Sequence, residues 1–415
     1  MTYIEFFDKN SIENLCACLS MLPEEVILVG DNETAMKRHI EDYEKVFKGR
    51  GKNIKFSYKK AFSWNVSQII GVLEQIIQEY DDYVFGITGG NELVVFALGI
   101  ICERYREKNI QVHKISINNN KVYDCDMDGK TIDYPVPVLS VEENIRIYGG
   151  KILYSDVHGE NTYRWDMTSD FEKDIEEMWS ICKRNTRGWN IQIGVLGTIK
   201  KVGTTSEDGL TITASVADVK EYYKRKRIGN YSINQDIMKE LQEKGLLTYF
   251  EADADTVTMT CKDLQVKRCL TQAGLALEMK VYMMARGLKT EGEETLYNDV
   301  MNGVQIDWDG IIFGEDGNNG TTNEIDVMLM HNMIPIFVSC KNGEFKADEL
   351  YKLNTVAERF GGKYAKKVLV ASSLGDDELD KILKQRAQDM KILVIDKNDV
   401  MNDNALKRKL ENVWR

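Results

Sequence analysis

Glu324-Ile325-Asp326 and Ser339-Cys340-Lys341 are the residues of this chain whose types and spacing point most directly to chemistry. They sit in the apolar segments EIDVMLM and IPIFVSCK, which a turn near His331 to Met333 would fold into a hairpin. Successive side chains alternate faces along a strand, so Glu324 and Asp326 project the same way. The far end of the second strand, with Lys341, returns beside the start of the first, and Asp309 in the preceding segment VQIDWDGIIF can join from a neighbouring strand. Carboxylate oxygens are natural ligands of Mg²⁺ and Mn²⁺. With a cation to orient the attacking water and offset charge on a phosphate, the set is what metal-assisted phosphodiester cleavage requires. Any one of these charges alone reads as a solvated surface group. The joint pattern is what singles them out.

The elements that must position this set are readable from periodicity. The C-terminal stretch reads as helix (QAGLALEMKVYMMARGL), strand, hairpin, helix (ADELYKLNTVAERF), strand (KKVLVAS), helix (DELDKILKQRAQDM) and strand (ILVID). At the other end, EEVILVG, IKFSYK and YVFGITGG read as strands alternating with helices, the first helix having Asp31 as its expected N-cap. That alternation indicates a parallel sheet covered on both faces, a Rossmann-like unit closed near residue 150 by β-like pieces QVHKISI, KVYDCD and IRIYGGKILY. The middle carries a helix, a tight glycine turn and a β-wing, INQDIMKELQEKGLLTYFEADADTVTMTC, the pattern of a winged helix. The expected fold class is α/β. It comprises a Rossmann-like domain over residues 1–155, a winged-helix-like connector over 156–265 and a second α/β domain over 266–415.

Thr88-Gly89-Gly90-Asn91 follows a strand and opens a helix. Glycines there let backbone approach a ligand, and free N–H groups at a helix start favour an anion or a nucleotide edge. Ligands of doubly wound sheets lie outside the carboxyl ends of the strands. Asn10-Ser11 and Gly30-Asp31-Asn32 are expected to face the same crevice.

The composition narrows the function classes. The 415 residues carry 54 Lys+Arg against 66 Asp+Glu, a net charge of −12, which excludes a protein that coats nucleic acid non-specifically. It leaves room for an enzyme that grips nucleic acid through one local groove. Hydrophobic residues at 43% and charged residues at 29% argue against disorder. The eight cysteines show no repeated CxxC spacing, there is no secretory leader, and no apolar run approaches a bilayer span, so a reduced, cytoplasmic protein without membrane contact is expected. Four scattered histidines give few candidates for a catalytic triad, and GxGxxG is missing, which disfavours a dinucleotide enzyme. The cluster Tyr222-Tyr223-Lys224-Arg225-Lys226-Arg227 reads equally as a nucleic-acid contact or a solvated helix end, whereas Lys407-Arg408-Lys409 reads as helix surface.

With Glu278 on a helix ahead of Asp309, Glu324-x-Asp326 and Ser339-Cys340-Lys341, the chain resembles the PD-(D/E)xK restriction-endonuclease-like superfamily. The stretch NEIDVMLMHNMIPIFVSCKNGE resembles one branch of it, the CRISPR ancillary nucleases of type III systems, which join a CARF (CRISPR-associated Rossmann fold) sensor to a C-terminal nuclease. The resemblance implies Mn²⁺ or Mg²⁺ on Asp309, Glu324 and Asp326, Lys341 as catalytic lysine, and a contribution from Glu278. It also implies a homodimer that binds a cyclic oligoadenylate, the tetra-adenylate foremost, across its two-fold interface, and antiviral cleavage of DNA or RNA, single strands above all. Two departures stand out: Ser339 occupies the usual acidic position, and Glu92 follows Asn91 where a lysine is common. The competing expectation is a ligand-responsive transcription regulator with a non-catalytic C-terminal lobe.

Overall fold

The computed structural model describes residues 1–125, 130–132, 134, 137–154, 162–229, 231–308 and 322–415. Three sheets organise them. The first has the order β3-β2-β1-β4-β5-β6-β7, built from β1 (Thr2–Phe6), β2 (Glu25–Gly30), β3 (Lys55–Lys60), β4 (Tyr83–Gly86), β5 (Gln111–Ser116), β6 (Lys121–Asp124) and β7 (Thr131–Ile132). Its first five strands are mutually parallel and the last two antiparallel. The apolar runs Val26–Val29 and Val84–Phe85 are buried because helices cover both faces.

After β8 (Lys151–Ile152), a small antiparallel sheet of order β11-β12-β10-β9 forms the wing, from β9 (Thr204–Thr205), β10 (Thr211–Ser215), β11 (Leu247–Ala252) and β12 (Thr256–Cys261). The helix Gln235–Glu243 leads into it, started by the Asn234 side chain, which accepts from the N–H groups of Asp236 and Ile237. The basic run Tyr222–Arg227 ends the helix Val216–Lys226, with Tyr223 buried and Arg225 over the Tyr222 ring.

The third sheet has the order β17-β16-β15-β14-β13-β8 and uses β13 (Asp299–Asp307), β14 (Thr322–His331), β15 (Ile334–Lys341), β16 (Lys366–Ala371) and β17 (Ile392–Ile395). The β14–β15 turn is Asn332-Met333, with Asn332 at φ 57°, a left-handed conformation that asparagine tolerates.

Several local expectations change. Within IRIYGG, Ile145–Ile147 are helical, not β-like: Ser140 and Glu143 form a reciprocal capping box that starts the helix Val141–Ile147. The chain then leaves the first sheet, and β8 pairs with Ile306 and Asp307 at the edge of the third. The helix expected from Gln272 starts at Leu275, because Gly274 at φ +89° separates it from the helix Leu264–Thr271. Asn32, not Asp31, caps the helix Glu33–Gly49, its side chain accepting from the Ala35 N–H.

Two apolar clusters tie the three sheets together. One runs from Tyr3 and Ile12 in the first sheet's region to Phe337 and Phe360 in the third's. The other joins Trp179, Trp189 and Ile212 of the middle region to Val338 and Val370 of the third sheet. Sheet three is thus packed on one side by the N-terminal unit and on the other by the winged-helix region.

Candidate functional site

The C-terminal candidates assemble where β14 begins and β15 ends. Val327 pairs with Val338, so one step further along the register Asp326 lies beside Ser339 and Cys340. The Asp326 Oδ2 accepts from the Cys340 N–H at 2.6 Å and from the Ser339 hydroxyl at 3.2 Å, and it stands 3.5 Å from the Lys341 Nζ. Its backbone carbonyl accepts from the Asn302 side-chain amide of β13 at 2.9 Å. Asn302 is itself held by the Trp165 indole N–H at 3.0 Å, so the winged-helix region buttresses the carboxylate's strand.

Glu278 approaches from the first turn of the helix Leu275–Arg286. Burial first, then the neighbouring carboxylates of Asp326 and Glu324, push the Glu278 carboxyl well above the usual carboxylate range; Lys341 and the Asn302 amide act the other way. The Glu278 carboxyl therefore feels both of the other carboxylates. Among the described residues no three His, Cys, Asp or Glu side chains converge into a ready-made metal cage. The donor chemistry nonetheless fits a hard divalent cation, whose charge would relieve the crowding of Glu278, Glu324 and Asp326. Asp309 lies outside the described residues.

Lys341 is half-buried at the end of β15. Burial works to lower its pKa, yet Asp326 and then Glu349 outweigh that effect and the net shift is upward. Its ammonium therefore persists at neutral pH, suited to orienting a nucleophile or holding phosphate charge and not to accepting a proton. Glu349, in the first turn of the helix Asp348–Gly361, places Oε2 3.1 Å from the Lys341 Nζ and Oε1 2.7 Å from Lys352. Sequence reasoning missed Glu349 and Asn302. Glu349 had a weak signal, an acidic pair opening the first helix after the SCK triplet. Ser339 serves as a donor that holds Asp326. Replacing Glu349 by Gln removes one of the two anions flanking Lys341, and any phosphodiester hydrolysis at this site is expected to slow about tenfold with the melting temperature unchanged, read by single-turnover kinetics and thermal melting.

At the N-terminal end the candidates divide. Gly30, Asp31, Asn32, Gly90 and Asn91 line one crevice of about 330 Å³ beyond the carboxyl ends of β1 and β2. Asn91 caps the helix Glu92–Arg104, and its amide donates to the Ser63 carbonyl at 3.3 Å, while the Ser63 hydroxyl donates to Asp31 at 2.5 Å. Thr88 and Gly89 turn away from the crevice: the Thr88 hydroxyl accepts from the Ile115 N–H at 3.0 Å, and the Gly89 N–H points to the buried Glu5 at 3.4 Å. Burial holds the Glu5 carboxyl well above its ordinary range. Asn10 and Ser11 are buried and line a different cleft, against the C-terminal unit. The reason is that the chain curls into a short 3₁₀ turn, Ser11–Asn14, directly after β1 and packs on the third sheet's helices.

Residues 265–415 match the family model for the endonuclease domain of Card1-like proteins. No curated protein matches the chain in sequence. Among solved structures, the chain is similar to Can2 from Sulfobacillus thermosulfidooxidans, solved in complex with cyclic tetra-adenylate, at 16% identity and a TM-score of 0.65, over 99% of this chain and 97% of that one. It is similar to protein VC1899 from Vibrio cholerae at 16% identity and a TM-score of 0.70, over 99% of each chain. At these identities the likeness is one of fold, and it spans all three regions. No helix among the described residues is long and apolar enough to cross a membrane.

Proposed function

We propose that this protein is a metal-dependent endonuclease of the type III CRISPR ancillary class, gated by a cyclic oligoadenylate and cutting single strands of DNA or RNA. The observation that carries the reading is the Asp326–Lys341–Glu349 chain, with Glu278 and Glu324 beside it, inside the region that matches an endonuclease domain. A divalent ion held by Asp326, Glu324 and Asp309 would polarise the scissile phosphate and acidify its bound water. The protein's own groups orient the reaction. Ser339 and the Cys340 N–H fix Asp326, and Lys341 presents a persistent positive charge where phosphate charge accumulates.

The sensor reading rests on the crevice. At about 330 Å³ it lies at the low end of ligand pockets, roughly 300–1,000 Å³. A ring of four nucleotides would need the same crevice of a second copy facing it. The helix Glu92–Arg104, which starts at the crevice, exposes Leu93, Val95 and Phe96, an apolar face suited to a two-fold partner.

A structural route links crevice and cleavage site. The loop that lines the crevice, Phe7 to Lys9, continues into Asn10 and Glu13. The Asn10 side chain accepts from the Lys363 N–H at 3.3 Å, and Glu13 accepts from the Tyr364 hydroxyl at 2.7 Å and pairs with Lys363 at 2.8 Å. Lys363 and Tyr364 follow directly on the helix Asp348–Gly361, whose other end carries Glu349. A ligand that moves the loop thereby pulls on the helix that holds Lys341. Glu13→Gln is expected to cut the ligand-stimulated rate about tenfold while cyclic tetra-adenylate binding, read by calorimetry, stays within twofold.

The overall test incubates the full chain with labelled single-stranded DNA and RNA, Mn²⁺ or Mg²⁺, and cyclic oligoadenylates of several ring sizes. Cleavage is expected only with both metal and ligand, and EDTA is expected to abolish it. Absence of ligand-stimulated cutting with every ring size overturns the proposal.

A further inference from the structure

The junction between the N-terminal unit and the third sheet holds a strongly basic groove that the cleavage site does not use. One cleft of about 740 Å³ brings Lys9 from the loop after β1 against Lys363, Lys367 and Lys391. It shares Lys363, Ala365, Lys367 and Lys391 with an adjoining cleft of about 680 Å³, to which Lys366 and Arg415 contribute. With Arg359 of the first cleft, seven cations thus line one continuous groove in a chain whose net charge is −12, and Glu358 is the single acid among the described lining residues. Lys9 and Lys391 are exposed and make no ion pair among the described residues. Burial lowers the Lys367 pKa, Glu358 opposes it, and the nearby Lys391 adds a smaller push in the same direction as burial. Tyr148 also lines the groove, at 5% exposure, with the Ile12 backbone beside its hydroxyl.

We infer that this groove binds the phosphodiester backbone of a single nucleic-acid strand, at a site separate from the carboxylates that cut it. A lone nucleotide occupying one cleft leaves the cations of the other without a partner, whereas a strand runs through both and releases counterions along its length. Tyr364, half-buried in the wall of the second cleft, offers a ring on which a base can stack. The groove lies at the Lys366 end of β16, and Lys341 pairs with Ala371 at the opposite end. Five residues of strand separate the two, roughly 17 Å at about 3.3 Å per residue. A strand that touches both sites therefore spans about five nucleotides at stacked spacing, about 3.4 Å each.

The occupant rests on the nucleic-acid reading of the site, so the experiment separates the two. Fluorescence anisotropy of a labelled single-stranded 20-mer is measured on the full chain in EDTA, where cleavage is silent. The double variant Lys367→Glu/Lys391→Glu is expected to bind about tenfold or more weakly, with a shallower salt dependence. Lys9→Glu/Lys391→Glu, both at exposed positions, repeats the test without disturbing the half-buried Lys367, and thermal melting checks that each variant folds. Binding within twofold of the parent for both folded variants overturns the inference, as does displacement of the 20-mer by ATP or pyrophosphate at equal concentration, which marks a small-anion site. Strand binding that needs these lysines in a protein that cuts nothing leaves the groove standing and removes the nuclease reading. Ligand-stimulated cutting with unaltered binding by both variants does the reverse.

Discussion

Asp326→Asn is expected, on the proposed reading as a metal-dependent nuclease, to lower the cleavage rate by about 10³-fold or more, the largest single effect in this protein. The substitution keeps the shape and an oxygen that can accept from the Cys340 N–H, now at 2.6 Å, so the β14–β15 hairpin should survive. What it removes is the charge. An anionic oxygen toward a divalent ion is worth several kcal/mol of transition-state stabilisation, and about 1.4 kcal/mol corresponds to a factor of ten. Single-turnover cleavage with saturating Mn²⁺ reads the loss, while calorimetry of cyclic tetra-adenylate binding and thermal melting should match the parent. A rate within tenfold of the parent would falsify the assignment of Asp326. Loss of both ligand binding and thermal stability would report misfolding and shift the test to the milder Ser339→Ala, which deletes only the 3.2 Å donor to the same oxygen.

Lys341→Met is the second large effect, about 10²- to 10³-fold in kcat with little change in KM. Methionine keeps the length and the apolar stem of the lysine, so packing at the end of β15 is preserved. The ammonium that bridges Asp326 at 3.5 Å and Glu349 at 3.1 Å disappears. Removing one preorganised group aimed at developing charge costs this much in other enzymes. Because Asp326 and Glu349 hold Lys341 protonated, the lysine should impose no rising limb on the rate between pH 6 and about 8. A lysine that worked as the base would give a rate that climbs with pH through its own titration, and that profile in the parent, absent in Lys341→Met, would contradict the electrostatic role. Lys341→Arg is not expected to rescue, since a planar fork cannot take the place of a compact charge between two carboxylates.

The pairing of Asp326 with Lys341 was legible in the sequence because it depends on two local regularities, strand alternation and a short hairpin turn. The Rossmann-like order of the first sheet was legible for a similar reason: buried parallel strands announce themselves as continuous apolar runs such as Val26–Val29. Capping was legible to within one residue. Asn32 took the place expected of Asp31, whose carboxylate instead receives the Ser63 hydroxyl, because either side chain can serve as cap and the tertiary contact chose between them.

What the residue order could not specify were contacts between elements far apart in the chain. Glu349 reaches Lys341 only because the helix Asp348–Gly361 lies against β15, and Asn302 serves Asp326 only because β13 pairs with β14. The peptide Ser140–Ile152 looked like the end of the first domain, yet a capping box made it helical and an open sheet edge drew β8 into the third sheet. Asn10 and Ser11 had the chemistry of ligand contacts, but the turn that follows β1 spends them on the junction with the C-terminal unit.

The chain by itself therefore pointed to the kind of chemistry proposed, through carboxylates and a lysine held at fixed spacing on paired strands, and to the class of each sheet, through its hydrophobic period. Only the tertiary structure decided which residues share the crevice, which helix holds Lys341 and where seven cations gather despite a net charge of −12. The physical reason is range. Alternation and capping act over a few residues and are written in the local order, whereas packing, charge pairing and burial act through space between segments that the order alone leaves unplaced.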